Sequence, residues 1–286
     1  KSLFALNYAK ELGRNQVYVY EEADYEKFLR ERELTRELRT SVTLGYQGFS
    51  LNYQPIVELK TQKLYAAEAL LRFHTSTGEF ISPAEFVPLL EKCGLIIPVG
   101  RWMMKEAMEK CSQIRKVIPG FKVNINISQV QVSKSDVIID IADEMEKVGL
   151  SPEAMNIELT ESDLLEGDIN TQHFLKELKR MGIKLALDDF GTGYSNFHYL
   201  SELDPEIIKI DRSFTSSAVA DEKEYYLLKQ FCRMIHNLGL KICIEGVENQ
   251  EEWAKIQKLE PDFGQGFFWG RPCGYDEFVR QFIEKK

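Results

Sequence analysis

KLALDDFGTGYSNF, residues Lys184 to Phe197, is the segment from which the rest of this chain can be understood. Lys184 to Leu187 is short, apolar and alternating, so it reads as a buried strand that carries Asp188 and Asp189 to its C-terminal end. Adjacent carboxylates repel each other. Without a counter-ion one of them takes up a proton, whereas one or two divalent cations let both stay ionised. Gly191-Thr192-Gly193 then turns the backbone away into a loop that can shape a site. A Gly-x-Gly with no third glycine and no Lys-Ser/Thr is too weak to be read as a phosphate cradle. Taken alone, an Asp-Asp pair at a strand end is more often a cap or a turn. The same arrangement recurs along this chain, and that recurrence favours a site.

Outward from this strand, the chain from Ser41 onward alternates strand and helix. The strands read as FSLNYQPIV, LYAAEALLRF, KVNINIS, MNIELTES, KLALDDFG, IIKIDRS, KICIEGVE and DFGQGFFWG. Helix punctuation lies between them. Ser82-Pro83-Ala84-Glu85 reads as a capping box with proline in the first turn, and Gly94 as the end of that helix. Gly182 and Gly239 follow apolar-periodic helices, and Asn249 with Glu252 caps another. Eight strands alternating with helices over residues 41–286 match the size of a (β/α)8 barrel. Only Glu58 to Lys63 join the first two strands, and a parallel crossover needs roughly a dozen residues. The expected fold is therefore a modified TIM-type α/β barrel with one antiparallel strand near the start.

Composition narrows the function. The 286 residues are 44% hydrophobic, ordinary for a globular protein with a sizeable core. A net charge of -9 and a pI near 5.2 argue against nonspecific binding to nucleic acid or an anionic membrane surface. The five cysteines have no Cys-x-x-Cys spacing, so neither a zinc site nor a disulfide framework is indicated, which fits a reducing cytoplasmic compartment. The four histidines stand apart from one another and from any His-Glu-x-x-His pattern. No apolar run approaches the roughly 18 residues of a membrane span, and no signal peptide is read at the start. Any membrane anchor is expected outside this segment.

In such a barrel the C-terminal strand ends converge on one face. Here they carry Glu68, Asn126, Glu158 with Glu161, Asp188 with Asp189, Lys209 with Asp211, Glu245 with Glu248, and Gln265. Each has an ordinary structural alternative, as a cap, a turn residue or a solvated strand end. Polar side chains at seven successive strand ends are harder to explain that way. Carboxylates with an amide oxygen, and neither His nor Cys, form a hard donor set suited to Mg²⁺ or Mn²⁺. Several carboxylates on one face suggest two ions with a bridging ligand, the arrangement that activates water against a phosphodiester. Lys209 and Arg72 supply positive charge for a phosphate.

These residues resemble a known family. Glu68-Ala69-Leu70-Leu71-Arg72, preceded by Gln54-Pro55-Ile56-Val57, is similar to the signature of the EAL domain, the cyclic-di-GMP phosphodiesterases. VNINIS, IELTES, LALDDFGTGYSN, IKIDRSF, IEGVEN and QGFFWGRP resemble that family in order and spacing, from about Ser41 to Lys286. The resemblance implies a first metal held by Glu68, Asn126, Glu158 and Asp188, and a second held by Asp188, Asp189 and Glu245. It implies that Lys209 positions or deprotonates the attacking water, that Gln265 hydrogen-bonds near it, and that Glu161 braces the DDFGTGYSN loop. Arg72, Gln54 and, with a less defined role, Asp211 would contact substrate. The implied reaction opens one phosphodiester of cyclic-di-GMP to give linear pGpG. Asn196-Phe197 and Phe267 depart from the usual pattern without removing a proposed ligand.

Residues 1–20 resemble the last helix and strand of a GGDEF (diguanylate cyclase) domain, whose own signature is absent from this chain. Residues 21–40, EEADYEKFLRERELTRELRT, read as a charged connector helix with Tyr25, Phe28, Leu29, Leu34 and Leu38 on one stripe. The expected layout is thus a remnant over 1–20, a connector over 21–40 and the barrel over 41–286. The resemblance further implies a homodimer, with the segment after Asp211 (SFTSSAVADEKE) as candidate contact, and control by an upstream GGDEF or sensor module. Two other readings compete. One is a receptor that binds cyclic-di-GMP without cleaving it, against which the intact carboxylates weigh. The other is a Schiff-base lyase built on Lys209 with no metal requirement.

Overall fold

The protein is described from a computed structural model covering residues 19–160, 169–191 and 203–284. The GGDEF-like stretch up to residue 18, Glu161, and Asn196 with Phe197 lie outside these residues. The chain divides into two compact units: one comprises the segment up to Phe49 together with Phe73–Leu95, the other Ser50–Arg72 together with the rest from Ile96.

The first unit is built on helix α1 (Glu22–Thr43), which buries Leu34, Leu38 and Ser41 while leaving most of its charged residues in solvent. The apolar stripe read from sequence holds in its second half, whereas Leu29 is exposed. Strand β1 (Phe49–Glu58) starts in this unit, and the end of β2 (Lys63–His74) pairs with the short β3 (Phe80–Ile81). Helix α2 (Pro83–Lys92) places Phe86 against Phe49 and Phe73, with ring centroids 6.2 and 5.9 Å apart. Pro83 starts α2 and Gly94, at φ +74°, follows its end. The expected capping box is not formed. The Ser82 side chain makes no cap hydrogen bond, and the Glu85 carboxylate pairs with Arg30 of α1 at 3.0 Å.

The second unit is the barrel. After β2 and α3 (Ile96–Arg115) come β4 (Lys122–Asn126), α4 (Gln129–Lys134), α5 (Val137–Val148) and β5 (Met155–Thr160). Then follow α6 (Ile169–Met181), β6 (Lys184–Phe190), β7 (Ile207–Ile210), α7 (Arg212–Ala220) and α8 (Glu222–Asn237). The order closes with β8 (Lys241–Glu245), α9 (Gln250–Ile256), β9 (Phe263–Gln265), β10 (Cys273–Gly274) and α10 (Tyr275–Phe278), which continues as a π turn over Val279–Ile283.

Strands β2, β4, β5, β6, β7, β8 and β9 pair in parallel in that order. β1 pairs antiparallel with β9 and also with β2, which closes a ring of eight. The sequence reading of one antiparallel strand near the start is correct, and its cause is the short β1–β2 connection. Small and branched residues fill the base of the barrel interior, among them Ile56, Ala66, Ala186, Ile207 and Cys243, with Tyr65 stacked on Phe263. A larger apolar layer lies between strands and helices. It includes Met104, Ala107 and Met108 of α3, all fully buried.

Several strands end earlier than their sequence patterns imply, and β4 and β7 stop shortly before a polar residue that caps a helix. Ser128 is the N-cap of α4, and with Gln131 forms the reciprocal capping box that Ser82 lacks. Asn249 caps α9, accepting from the amides of Glu251 and Glu252, as its position predicts. Gly182 and Gly239 take the left-handed conformation after α6 and α8.

Candidate active site

The parallel register brings the C-terminal ends of the strands to one mouth, and the buried side chains there are polar. Glu68, Glu158, Lys209 and Gln265 are each 5% exposed or less. Burying charge at this density requires mutual pairing. Lys209 provides it: its Nζ lies 2.8 Å from Glu245, 2.9 Å from Glu158, 3.0 Å from Asp188 and 3.3 Å from Glu68. Asn126 Nδ2 donates to Glu68 Oε1 at 2.7 Å and Gln265 Nε2 to Glu68 Oε2 at 2.6 Å. Gln265 also donates to Gln54 Oε1 at 3.2 Å, and Gln54 in turn to the Gly270 carbonyl.

Asp188 and Asp189 reach the mouth by a local break in β6. Consecutive residues on a regular strand face opposite ways. The β6–β7 register slips between Leu187 and Phe190, and Asp189 takes φ +51°, a conformation that Asp tolerates better than most residues. The Asp189 amide donates to Asp188 Oδ1 at 3.0 Å. At the end of β8, Gly246 has φ +72°, and its amide donates to the Gln265 carbonyl at 2.9 Å. A side chain there would strike Arg212, which itself pairs with Glu248 at 2.7 Å.

Burial sets the electrostatics. It raises the Glu158 carboxyl well above the ordinary range, helped by the neighbouring Glu68 charge, and raises Glu245 to about 8. Burial and then Asp188 push Asp189 up to about 6. In Glu68, burial acts upward but is outweighed by Lys209 and the hydrogen bonds from Gln265 and Asn126, which leave it below the usual value. For Lys209, burial favours the neutral amine, yet the surrounding carboxylates, Asp188 foremost, raise its pKa well above that of a free lysine. An amine held so firmly as a cation is a poor Schiff-base nucleophile, which weighs against the lyase reading.

The donor set fits divalent cations. Four carboxylates face one ammonium, so negative charge is in excess. Carboxylate oxygens of Glu68, Glu158 and Asp188 lie within 4.8 Å of one another, as do those of Asp188, Asp189 and Glu245. Asp188 belongs to both groups, and every donor is hard oxygen, the chemistry of Mg²⁺ and Mn²⁺ sites. The mouth opens into a cavity of about 240 Å³ lined by Gln54, Glu68, Asp188, Lys209, Glu245 and Gln265, with Phe267 at its edge.

Of the residues singled out from sequence, Gln54, Glu68, Asn126, Glu158, Asp188, Asp189, Lys209, Glu245 and Gln265 come together. Arg72 follows Glu68 on β2, is half-buried, and donates to its neighbour's carbonyl, Leu71 O, at 2.9 Å. Burial lowers its pKa, an effect opposed by Glu68. Asp211 acts as N-cap of α7, accepting from the Ser213 amide at 2.9 Å, while the adjacent Arg212 lines the cavity. Sequence reasoning missed Asn124 and Asn156, which lie directly beneath the carboxylates. Each precedes a chosen residue by two positions on its strand, a parity that places both on the same face.

A closed eight-stranded barrel with a buried carboxylate cluster and one lysine at the strand C-termini defines the class. The EAL domain family model matches residues 35–272, and the chain belongs to that family. The signaling protein YkoW of Bacillus subtilis is 33% identical over 88% of this chain, which covers 32% of that protein. The bifunctional diguanylate cyclase/cyclic di-GMP phosphodiesterase MucR of Pseudomonas aeruginosa is 31% identical over 96% of this chain, which covers 40% of its length. The chain therefore spans only about a third to two fifths of these curated relatives. Among solved structures, the PaMucR phosphodiesterase in complex with c-di-GMP superposes with a TM-score of 0.80 at 30% identity, covering 86% of this chain and 99% of that one.

Proposed function

We propose that this domain hydrolyses cyclic-di-GMP to linear pGpG in a reaction that depends on two divalent cations, Mg²⁺ or Mn²⁺. The observation that carries the reading is Asp188, shared between two three-carboxylate groups at the mouth of an EAL-family barrel. The relatives named as cyclic di-GMP phosphodiesterases support the substrate.

Glu68, Asn126, Glu158 and Asp188 would hold one ion, and Asp188, Asp189 and Glu245 the other. When bound, two such ions supply an acidified water and charge neutralisation at the scissile phosphate. The remaining work falls to the protein. Lys209, whose Nζ lies within 3.3 Å of four of the carboxylates, positions or deprotonates the attacking water. Gln265 anchors Glu68 through Nε2, and its buried Oε1, which has no hydrogen-bond donor, accepts from the water. Arg72 and Gln54 contact the substrate, and Glu161 braces the DDFGTGYSN loop. Asp211 acts at one remove, by starting the helix that presents Arg212 to the cavity.

We place the barrel at residues 41–286, after a connector at 21–40 and a GGDEF remnant at 1–20, in a cytoplasmic part of a longer regulated protein. No helix among the described residues is long and apolar enough to cross a membrane. A homodimer formed through the segment after Asp211 completes the assembly, and a monomeric mass by light scattering, with and without ligand, contradicts it.

The direct test of the site is Glu68→Ala. It abolishes turnover of cyclic-di-GMP while circular dichroism stays that of the parent. Hydrolysis at the parent rate would show the carboxylate assignment to be wrong. Loss of product with retained binding in the unmodified protein would point to the receptor reading.

A further inference from the structure

Beneath Glu158 the barrel holds a polar pair that none of the roles above uses. Asn124 on β4 and Asn156 on β5 face each other in register and are 2% and 0% exposed. Asn156 Nδ2 donates to Asn124 Oδ1 at 2.8 Å, and Asn124 Nδ2 donates to Glu158 Oε1 at 2.6 Å. Lys209 takes the other carboxylate oxygen, Oε2, at 2.9 Å. The Tyr65 hydroxyl lies next to Asn156, although neither it nor Asn156 Oδ1 has a hydrogen bond of ordinary geometry.

Two amides at the centre of a barrel are an expensive choice, because buried polar groups lose hydration that an apolar pair would never need. The barrel interior also holds an apolar cluster with Ala66, Ala186 and Ile207, so apolar side chains are accommodated in the same interior. What the pair supplies is direction. A carboxylate held at one oxygen swings about its last torsion, whereas one held at both has its plane fixed.

We infer that Asn124 and Asn156 are positioning residues that fix the plane of the Glu158 carboxylate, so that its free lone pairs face Glu68 and Asp188. This rests on the metal-site reading above. Asn156 acts only through Asn124: it fills Asn124 Oδ1 and so turns Nδ2 toward Glu158. Groups that orient a metal-binding side chain change affinity by about 10- to 100-fold when removed.

The test compares the parent, Asn124→Leu and the double variant Asn124→Leu/Asn156→Leu. Each is titrated with Mn²⁺ by calorimetry and melted in EDTA. Asn124→Leu leaves both the Asn156 amide and Glu158 Oε1 without partners, so melting temperature and Mn²⁺ affinity both fall. While Glu158 Oε1 still lacks its donor, the double variant removes the orphaned amide and recovers part of the melting temperature. Its Mn²⁺ affinity stays at least about tenfold below the parent. A merely structural pair would let the two recover together, so parent-like Mn²⁺ affinity in the double variant overturns the inference. A parent that takes up no Mn²⁺ overturns the metal reading first, and this inference with it. Asn124→Ser keeps a shorter donor and serves if the leucine variants do not fold; it gives an intermediate affinity, and parent-like binding again contradicts the role.

Discussion

Asp188 and Asp189 are neighbours on one strand, yet both contribute a carboxylate oxygen to the same cluster with Glu245. The β6 bulge and the positive φ of Asp189 make this possible. Asp189→Asn keeps a side chain that tolerates the left-handed conformation and should leave stability near the parent while removing a charged donor. Asp189→Val should cost about 1–2 kcal/mol more, because a branched side chain is strained at that φ. Urea denaturation in EDTA checks the difference. Equal stability of the two variants would mean that the bulge is not held by residue 189.

Lys209 is the only cation among the described side chains within ion-pair distance of Glu68, Glu158, Asp188 and Glu245, and it touches all four. In EDTA, Lys209→Met should lower stability by about 3–5 kcal/mol, the usual result of stripping one partner from a buried ionic cluster. Mn²⁺ should restore much of that loss, because binding to the folded state stabilises it by mass action. Thermal melts with and without Mn²⁺ decide. An unchanged melting temperature in EDTA would show that the ammonium does not hold the cluster together.

In the first unit, burial and exposed charge can be weighed against each other. Leu38 of α1 is fully buried, and Leu38→Ala should cost about 2–5 kcal/mol. Arg30 pairs with Glu79 at 2.6 Å and Glu85 at 3.0 Å, but all three are well exposed, so Arg30→Ala should cost no more than about 1 kcal/mol. Chemical denaturation of both variants gives the order, and a reversed order would mean that the helix is held by its charges.

The barrel was legible because its strands are short, apolar and regularly spaced, and because a short connection forces β1 to run antiparallel. The carboxylate face was legible because parallel strands deliver their C-terminal residues to one end. Three features were not. The Ser82 capping box did not form, and its Glu85 carboxylate pairs instead with Arg30, a partner distant in sequence. The cap that Asp211 places on α7 was not read, because Asp211 was chosen by resemblance to the family, whereas its carboxylate accepts from the local backbone. Asn124 and Asn156 were passed over because an asparagine inside a strand acquires a role only through its neighbours, and strand pairing is not written in the local pattern.

Metal-dependent hydrolysis is decided by chromatography of cyclic-di-GMP after incubation with this protein in Mg²⁺, in Mn²⁺ and in EDTA. Linear pGpG should form with either metal and disappear on chelation. Undiminished product in EDTA, or neither product nor binding with metal present, would contradict the assignment of the carboxylate cluster to metal-dependent phosphodiester hydrolysis.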